Sequence, residues 1–189
     1  MVAGKFGGAR DFNGVDDYAY VGNPSTLNNI VPITISAWIY PRSAGEGGGG
    51  RIICKNAINW GDVGFWTFTI DNTAPEVNAF TFYKEGDTDL KRSTADNTVS
   101  FNTWQYMVVT WDGSTSASNV HIYKNGVELA YKVTQNETGA SRADDTQPLI
   151  IGNQQNGAAT FDGIIDEVAV FNRVLSADEM AEGQVSSFQ

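Results

Sequence analysis

The chain has 189 residues, and its 22 Asp and Glu residues against 12 Lys and Arg residues give a net charge of −10. Duplex nucleic acid and anionic membrane surfaces both favour a positive protein surface, so this charge argues against either as a partner. The one cysteine, Cys54, excludes an internal disulfide framework and a zinc cluster, and its apolar neighbours predict a small buried residue. No apolar run approaches the roughly 18 to 20 residues of a membrane span, so we expect no membrane insertion.

The predicted elements are mostly short strands. They are rich in Val, Ile, Thr and aromatic residues, and Gly, Asn or Asp separate them, which is typical of antiparallel sheets. Because helical segments do not alternate with these strands, their order argues against a parallel α/β sheet. In chain order, strands are predicted at residues 17–21, 33–40, 51–55, 65–70, 79–84, 104–111, 120–124, 127–131, 149–152 and 163–171.

Two local motifs predict how elements begin and end. Asn125 and Gly126 lie between two predicted strands and indicate a two-residue hairpin, because a type I′ turn needs positive φ at both central positions. Ser176 followed by Glu179 forms a capping box, which predicts one short C-terminal helix ending at Gly183. No repeat or second domain boundary is visible, so residues 1–189 are predicted to form a single all-β domain.

Five segments carry ordered motifs: residues 11–21 (DFNGVDDYAYV), 33–42 (ITISAWIYPR), 104–113 (WQYMVVTWDG), 120–129 (VHIYKNGVEL) and 161–176 (FDGIIDEVAVFNRVLS). In this order they resemble the laminin G-like branch of the concanavalin A-like lectin/glucanase superfamily, and they cover nearly the whole chain. The resemblance implies a jelly-roll sandwich of two antiparallel sheets, with the first and last strands close together. It does not fix a function, because this fold hosts lectins, enzymes and adhesive modules.

The acidic residues argue against a glycan-cleaving enzyme. Catalytic members of the superfamily carry acids in the pattern Glu-x-Asp-x-(x)-Glu on one strand, so that two carboxylates flank one bond. The acidic strand here places Asp162 and Asp166 on one parity and Glu167 on the other. His121 has no second His or Cys with which to bind a metal. We therefore expect no enzyme activity, and a hydrolase or lyase is the less favoured alternative.

The resemblance also implies a structural calcium ion, because members of the superfamily often bind one between the first and last strands. This chain offers oxygen ligands there: Asn13 and Asp16 in an N-terminal turn, and Asp162 and Asp166 on the last strand. A metal-free alternative makes Asn13 part of an ordinary turn and pairs a buried Asp166 with an arginine. A calcium ion at these residues would tie the two ends of the chain together and stabilise the fold.

The tryptophans divide into packed residues and one candidate ligand. Trp38, Trp104 and Trp111 alternate with apolar residues, which predicts core packing, and the same holds for Trp66. Trp60 precedes a Gly-Asp turn signal, so its ring is a candidate for stacking on the C–H face of a sugar. The alternative is that Trp60 covers one end of the sandwich.

Other polar residues complete the predicted glycan contacts. Asn59 and Asp62 lie next to Trp60 and offer hydrogen bonds to sugar hydroxyl groups. Tyr83 and Arg92 belong to a locally cationic part of an acidic chain, where an Arg fork suits the carboxylate or sulfate groups of an anionic polysaccharide. The alternative explanation of this cationic segment is a solvated loop.

These observations support two main hypotheses. The first is a non-catalytic carbohydrate-binding module that recognises a polysaccharide or other glycan, with the polar loop 153–157 as a further candidate contact. The second is a protein-interaction or structural surface module of an extracellular or virion assembly. Either fits a secreted or cell-surface location and attachment to other domains of a larger protein. Residues 1–10 lack the long apolar stretch of a signal peptide, so the chain itself shows no export signal.

Overall fold

The structure, a computed structural model, describes residues 1–55, 66–73, 77–140, 142–154 and 156–185. Within these ranges the chain forms strands, one helix, α1 (Ala177–Val185), and single 3-10 turns at Ser25–Leu27, Glu46–Gly48 and Ala117–Asn119. The strands are β1 (Val2–Ala3), β2 (Gly8–Asn13), β3 (Ala19–Gly22), β4 (Ile33–Pro41), β5 (Arg51–Lys55), β6 (Trp66–Asp71), β7 (Ala79–Lys84), β8 (Leu90–Thr94), β9 (Gln105–Trp111), β10 (Val120–Lys124), β11 (Val127–Glu128), β12 (Tyr131–Gln135), β13 (Leu149–Ile151) and β14 (Asp162–Phe171).

The strands form two antiparallel sheets. The back sheet has the order β1-β2-β14-β4-β9-β10-β11, and the front sheet has the order β12-β8-β7-β6-β5-β13-β3. The predicted all-β sandwich of two antiparallel sheets with one short C-terminal helix is therefore confirmed. The expected closeness of the first and last strands is also found, since Asn13 of β2 lies opposite Asp162 of β14.

The main core lies between the sheets, because alternate residues of each strand point to the same face. Phe68 and Ile70 of β6 face it from the front sheet, and Met107 and Val109 of β9 face it from the back sheet, all at most 1% exposed. Burying one such side chain stabilises the fold by about 1.5 to 3 kcal/mol relative to leaving it exposed. The predicted packing of Trp66 and Trp111 is confirmed in this core; both are at most 4% exposed.

A second apolar cluster covers the outer face of the back sheet. Trp38 and Tyr106 lie there under Leu175 and Met180 from the C-terminal segment. The predicted burial of Trp38 is confirmed, but its ring packs in this outer cluster rather than between the sheets. Trp104 packs against the same cluster and is only partly buried. The C-terminal segment therefore protects aromatic surface that the sandwich alone would expose.

Both local motifs form as predicted. Asn125 and Gly126 have φ of 52° and 79° and close the hairpin between β10 and β11. The Glu179 N–H donates to Ser176 Oγ at 3.3 Å, and the Ser176 N–H donates to Glu179 Oε2 at 2.9 Å, which is the reciprocal capping box. Helix α1 continues through Gly183 to Val185, so the predicted end is two residues short.

The structure corrects the sequence prediction in three places. The stretch 127–131 is not one strand: Val127 pairs with Lys124 in the back sheet, whereas Tyr131 pairs with Thr94 in the front sheet. The chain crosses between the sheets there. The cationic segment near Lys91, for which a solvated loop was the alternative, is strand β8, paired on both sides within the front sheet. Strands β1 and β2 were also not predicted, because they carry little apolar alternation.

Candidate functional site

A polar cleft lies on the outer face of the front sheet. Its floor follows from the strand register, because Arg51, Thr69 and Thr81 are successive cross-strand partners on β5, β6 and β7. Thr69 and Thr81 alternate with apolar core residues, so their side chains point away from the core. The three residues line a cleft of about 290 Å³. A row of polar side chains thus lies on the outer face of the front sheet, which is the face turned toward solvent.

Two loops form the walls of the cleft. The glycine-rich loop after β4 contributes Glu46, and the loop after β13 contributes Gln154. The two loops are joined by the Glu46 N–H, which donates to the Thr160 carbonyl at 2.9 Å, and by Thr160 Oγ1, which donates to Glu46 Oε2 at 3.2 Å. Gly45 has a φ of 89°, and a Cβ there would lie 2.6 Å from the Thr160 carbonyl oxygen, so only glycine allows this close approach.

Two cations border the cleft in different ways. Arg51 is 4% exposed, and its Nη1 donates to Thr69 Oγ1 at 3.2 Å. Desolvation by burial lowers the pKa of its guanidinium, which the nearby Asp71 carboxylate partly offsets. Lys91 lies opposite Tyr83, yet its Nζ reaches to within 3.7 Å of Asp71 Oδ2 on β6. Its side chain therefore crosses over β7, above the floor of the cleft.

Two deeply buried oxygen atoms in the cleft lining have no hydrogen-bond partner in the described part of the chain. They are Thr67 Oγ1 and Gln154 Oε1, in side chains that are 1% and 4% exposed. The amide nitrogen of Gln154 is held, since Nε2 donates to Asn156 Oδ1 at 2.7 Å. A buried polar atom without a partner costs about 1 to 3 kcal/mol, so both atoms mark a place where a polar ligand would be stabilised.

Two of the five predicted sugar contacts, Tyr83 and Arg92, lie in the described part of the chain, and they are on opposite faces of the front sheet. Trp60, Asn59 and Asp62 lie outside the described residues, so the predicted stacking surface stays a prediction. Tyr83 lines the cleft, and burial, helped by a hydrogen bond with Asp89, raises the pKa of its hydroxyl.

Arg92, the remaining predicted sugar contact, is on the other face of the sheet from the cleft. It lies opposite the core residue Phe82 in the register, and its guanidinium carbon lies 3.5 Å from the centroid of the Tyr131 ring. Its Nη1 also donates to Thr134 Oγ1. Arg92 therefore anchors the edge strand β12, and the cleft takes its cations from Arg51 and Lys91 instead.

The cleft residues Arg51 and Thr67 were not predicted from the sequence. Both residues lie next to apolar residues in short strands, so the sequence around them is that of an ordinary core strand. The available signal was the alternation of threonines in β6 with Trp66, Phe68 and Ile70, which indicates one wholly polar face. The polar loop 153–157 was a candidate, and Gln154 of that loop does line the cleft.

The four predicted calcium ligands do not converge on one point. Asn13 Nδ2 donates to Asp16 Oδ1 at 2.8 Å, and Asn13 Oδ1 accepts backbone N–H groups of its own turn. Asp162 lies opposite Asn13, and its Oδ1 accepts a bond from Arg42 Nε at 3.0 Å. Asp166 lies four residues further along β14, about 13 Å away at ~3.3 Å per residue. Across the ranges that the structure describes, no three His, Cys, Asp or Glu side chains group as a metal site.

Asp166 is buried, as the metal-free alternative assumed, but its partners are backbone groups. Asp166 Oδ2 accepts the Phe6 N–H at 3.0 Å, while Arg10 and Arg173 pair with other acids. A bulge with Glu167 at a φ of 48° reverses the alternation of β14 after Asp166. Asp166 therefore faces the outer cluster of the back sheet, although strict alternation would have placed it with Val168 in the core.

Two residues with reactive side chains lie outside the cleft lining. Cys54 is fully buried as predicted, its Sγ donates to the Asn153 carbonyl at 3.2 Å, and desolvation raises the pKa of the thiol to about 12. A thiol with such a pKa is not a nucleophile at neutral pH. His121 is half exposed on the back sheet, with Nδ1 2.7 Å from Glu128 Oε1.

Two antiparallel sheets packed face to face define a jelly-roll sandwich. The family model described as the concanavalin A-like lectin/glucanases superfamily, of laminin G type, matches residues 13–181. The chain belongs to this family, as its ordered motifs predicted. No curated protein is significantly similar to it in sequence.

Solved structures share the fold at low sequence identity. The carbohydrate-binding module CBM40 of the Ruminococcus gnavus IT-sialidase, bound to α2,3-sialyllactose, has a TM-score of 0.70 and 13% identity, covering 93% of this chain and 96% of that one. Domain 4 of AbnA, an extracellular arabinanase of Geobacillus stearothermophilus in complex with arabinotriose, has a TM-score of 0.64 and 16% identity, covering 96% and 78%. The binding domain of Paraclostridial Mosquitocidal Protein 1 has a TM-score of 0.68 and 16% identity, covering 97% and 44%.

None of the helices that the structure describes has the length and hydropathy needed to cross a bilayer.

Proposed function

We propose that the chain is a non-catalytic carbohydrate-binding module that holds part of a polysaccharide in the cleft of the front sheet. The observation that carries this proposal is the pair of buried oxygen atoms, Thr67 Oγ1 and Gln154 Oε1, that line the cleft with no partner in the described residues. Sugar hydroxyl groups both donate and accept hydrogen bonds, so a glycan in the cleft offers the donors that the two atoms lack.

The rest of the cleft suits the same ligand. Arg51 and Lys91 supply donors to sugar oxygen atoms, and the half-buried ring of Tyr83 offers an apolar face to C–H groups. The complexes of CBM40 with sialyllactose and of the arabinanase domain with arabinotriose support the class of ligand, because both proteins share this fold. A polysaccharide ligand also fits the secreted or cell-surface location expected from the sequence.

The absence of catalysis is part of the proposal. The two carboxylates that line the cleft, Glu46 and Asp71, are already engaged: Glu46 Oε2 accepts bonds from Thr160, and Asp71 pairs with Lys91 and accepts the Thr73 N–H. A glycosidase needs one carboxyl to give a proton and another to attack or activate water. We expect no release of reducing ends from a glycan that the protein binds.

The test is binding to a panel of immobilised oligosaccharides that includes arabinotriose and sialyllactose. Thr67→Val and Gln154→Met remove the two oxygen atoms while nearly keeping side-chain volume, and each should weaken binding of the best glycan about tenfold. Thr103→Val, at an exposed threonine outside the cleft lining, is the matched control and should bind as the unaltered protein does. Full binding by both cleft variants would overturn the cleft assignment.

A Trp60→Ala variant separates the cleft from the stacking surface predicted at Asn59, Trp60 and Asp62. Loss of binding in Trp60→Ala together with full binding in Thr67→Val would show that the sugar binds at that surface and not in the cleft. If no glycan of the panel binds at millimolar concentration, the carbohydrate proposal itself fails. Calcium at Asn13, Asp16, Asp162 and Asp166 stays a prediction, and no step of sugar binding in the cleft depends on it.

A further inference from the structure

A second cavity, distinct from the cleft, opens between the two sheets at one end of the sandwich. It has a volume of about 360 Å³, and Ile33 and Trp111 of the back sheet line it together with Trp66 and Phe82 of the front sheet. The rings of Phe82 and Trp111 are 6.0 Å apart, inclined at 45°. This end cavity therefore has a floor made of core aromatic rings, and its size falls in the range of small-molecule sites.

Charged groups surround this apolar floor, and the described cations hold partners within the protein. Lys55 and Lys84 are both cross-strand partners of Trp66, so all three point toward the interior of the sandwich. Lys55 is fully buried, with Nζ 2.9 Å from Asp144 Oδ1. Lys84 Nζ donates to the Arg142 carbonyl at 2.6 Å. A charged ligand would add an unmatched charge to a desolvated site, so the cavity favours a neutral one.

One carboxylate oxygen of this cluster is left for a ligand. Both described hydrogen bonds to the Asp144 side chain reach Oδ1: the Asn29 N–H donates at 2.7 Å and Lys55 Nζ at 2.9 Å. No described bond reaches Oδ2, although the residue is 2% exposed and lines the cavity. A desolvated carboxylate oxygen gains most from a directed donor, which a hydroxyl group provides.

We propose that the end cavity binds a neutral aromatic compound with a hydroxyl group, of the phenol class. The ring packs against Trp66, Phe82 and Trp111, and the hydroxyl group donates to Asp144 Oδ2. The site is separate from the glycan cleft, since the two linings share no residue. Trp66 and Trp111 report on its occupancy because their indole rings form its floor.

Three probes of nearly equal shape test the ligand class: 4-methylphenol, toluene, which lacks the hydroxyl group, and 4-methylbenzoate, which carries a charge. Titration into the protein, followed by the indole signals of Trp66 and Trp111 in NMR spectra, should show saturable binding of 4-methylphenol. Toluene should bind about tenfold more weakly, because one hydrogen bond to a charged group is lost. Equal affinity for all three probes would overturn the role of Asp144.

A pair of surface variants tests the location. Ala143 is exposed and lines the cavity, so Ala143→Trp should fill the cavity and abolish binding of 4-methylphenol without disturbing the core. Ala140→Trp adds the same ring at an exposed position outside the lining and should leave binding unchanged. Saturable binding retained in Ala143→Trp would overturn the proposed site, as would the absence of saturable binding in the unaltered protein.

Discussion

At the scale of single residues, buried polar groups in this protein fall into satisfied and unsatisfied sets. Asn153 is fully buried, and its side chain holds the loop after β13 through Thr160 Oγ1 at 2.6 Å and the Ala159 N–H at 3.1 Å. Gln154, the next residue, is nearly as buried but keeps an oxygen atom without a described partner. The contrast separates a residue that builds the loop from one whose free oxygen atom is assigned to the ligand in the proposed function.

The acidic cap of α1 yields a prediction about pH. The Arg173 guanidinium, 2.7 Å from Glu179 Oε2, and the Ser176 N–H lower the pKa of Glu179 to about 2. Because this pKa lies below that of the unfolded chain, the stabilisation is present above about pH 4.3 and is lost as the pH falls through about 2. NMR titration of the Glu179 carboxyl carbon measures it directly.

Arg173→Met should raise the pKa of Glu179 toward its ordinary value, since the larger of the two causes is removed. Lys132→Met, which removes an ion pair with Asp96 elsewhere in the chain, is the control and should leave the titration of Glu179 unchanged. A midpoint near 4 in the unaltered protein would contradict the assigned hydrogen bonds.

The sequence predicted elements better than it predicted the site. The hairpin at Asn125 and the capping box at Ser176 follow from local chemistry, so each was found where expected. The cleft forms where strands that are far apart in the sequence lie side by side. A local sequence pattern does not predict which strands become neighbours. A bulge between Arg51 and Ile53 shifts the pairing of β5 with β6, and it turns the Arg51 side chain toward the cleft. Gln154 reaches the cleft through a loop that folds back over the sheet.

At the scale of elements, bulges and glycines determine which side chains of a strand face the core and how closely neighbouring strands approach. Strand β14 shows this most clearly, because it changes its face at Glu167 and makes a close approach at Gly163. A Cβ at Gly163 would lie 2.2 Å from the Tyr40 carbonyl oxygen on β4. This oxygen belongs to the main chain, so it cannot move away by a change of rotamer. The glycine therefore allows β14 and β4 to keep their register.

Gly163→Ala should lower the free energy of unfolding by about 2 to 4 kcal/mol, because strain at a φ of +146° adds to the clash with Tyr40. Gly157→Ala is the matched control: it also has positive φ, at +74°, but nothing lies within 4 Å of its Cβ. It should cost only about 1 kcal/mol. Urea denaturation of both variants measures the difference, and equal losses would show that the close approach does not matter.

At the scale of the whole molecule, Arg42, the residue directly after β4, joins two other strands of the back sheet. Its Nη2 donates to Asp11 Oδ1 at 2.6 Å and to the Phe12 carbonyl at 2.9 Å, and its Nε donates to Asp162 Oδ1 at 3.0 Å. The hydrogen bond with Asp11, partly opposed by desolvation, raises the pKa of Arg42. This one guanidinium ties β2 to β14, which is the role that the family resemblance led us to expect of calcium.

Calcium binding is still testable at Asp16, an exposed carboxylate that none of the described ion pairs engages. If an ion binds at Asn13 and Asp16, Tm should be higher in calcium than in EDTA, since a ligand of the folded state stabilises it by mass action. Asp16→Asn should remove that difference, whereas Asp178→Asn, at an exposed acid on α1, should keep it. Equal Tm values in calcium and in EDTA for the unaltered protein would exclude a structural ion.

The position of β14 has a consequence for the order of assembly. This last strand lies in the middle of the back sheet, between β2 and β4, and Ile165 faces Arg10 on one side and Ile39 on the other. A growing chain thus carries two unpaired strand edges, one on β2 and one on β4, until β14 has been synthesised. Contacts so distant in sequence slow folding, because loop closure precedes the stabilising pairing. We therefore expect the nascent chain to be most prone to aggregation in the interval before β14 emerges.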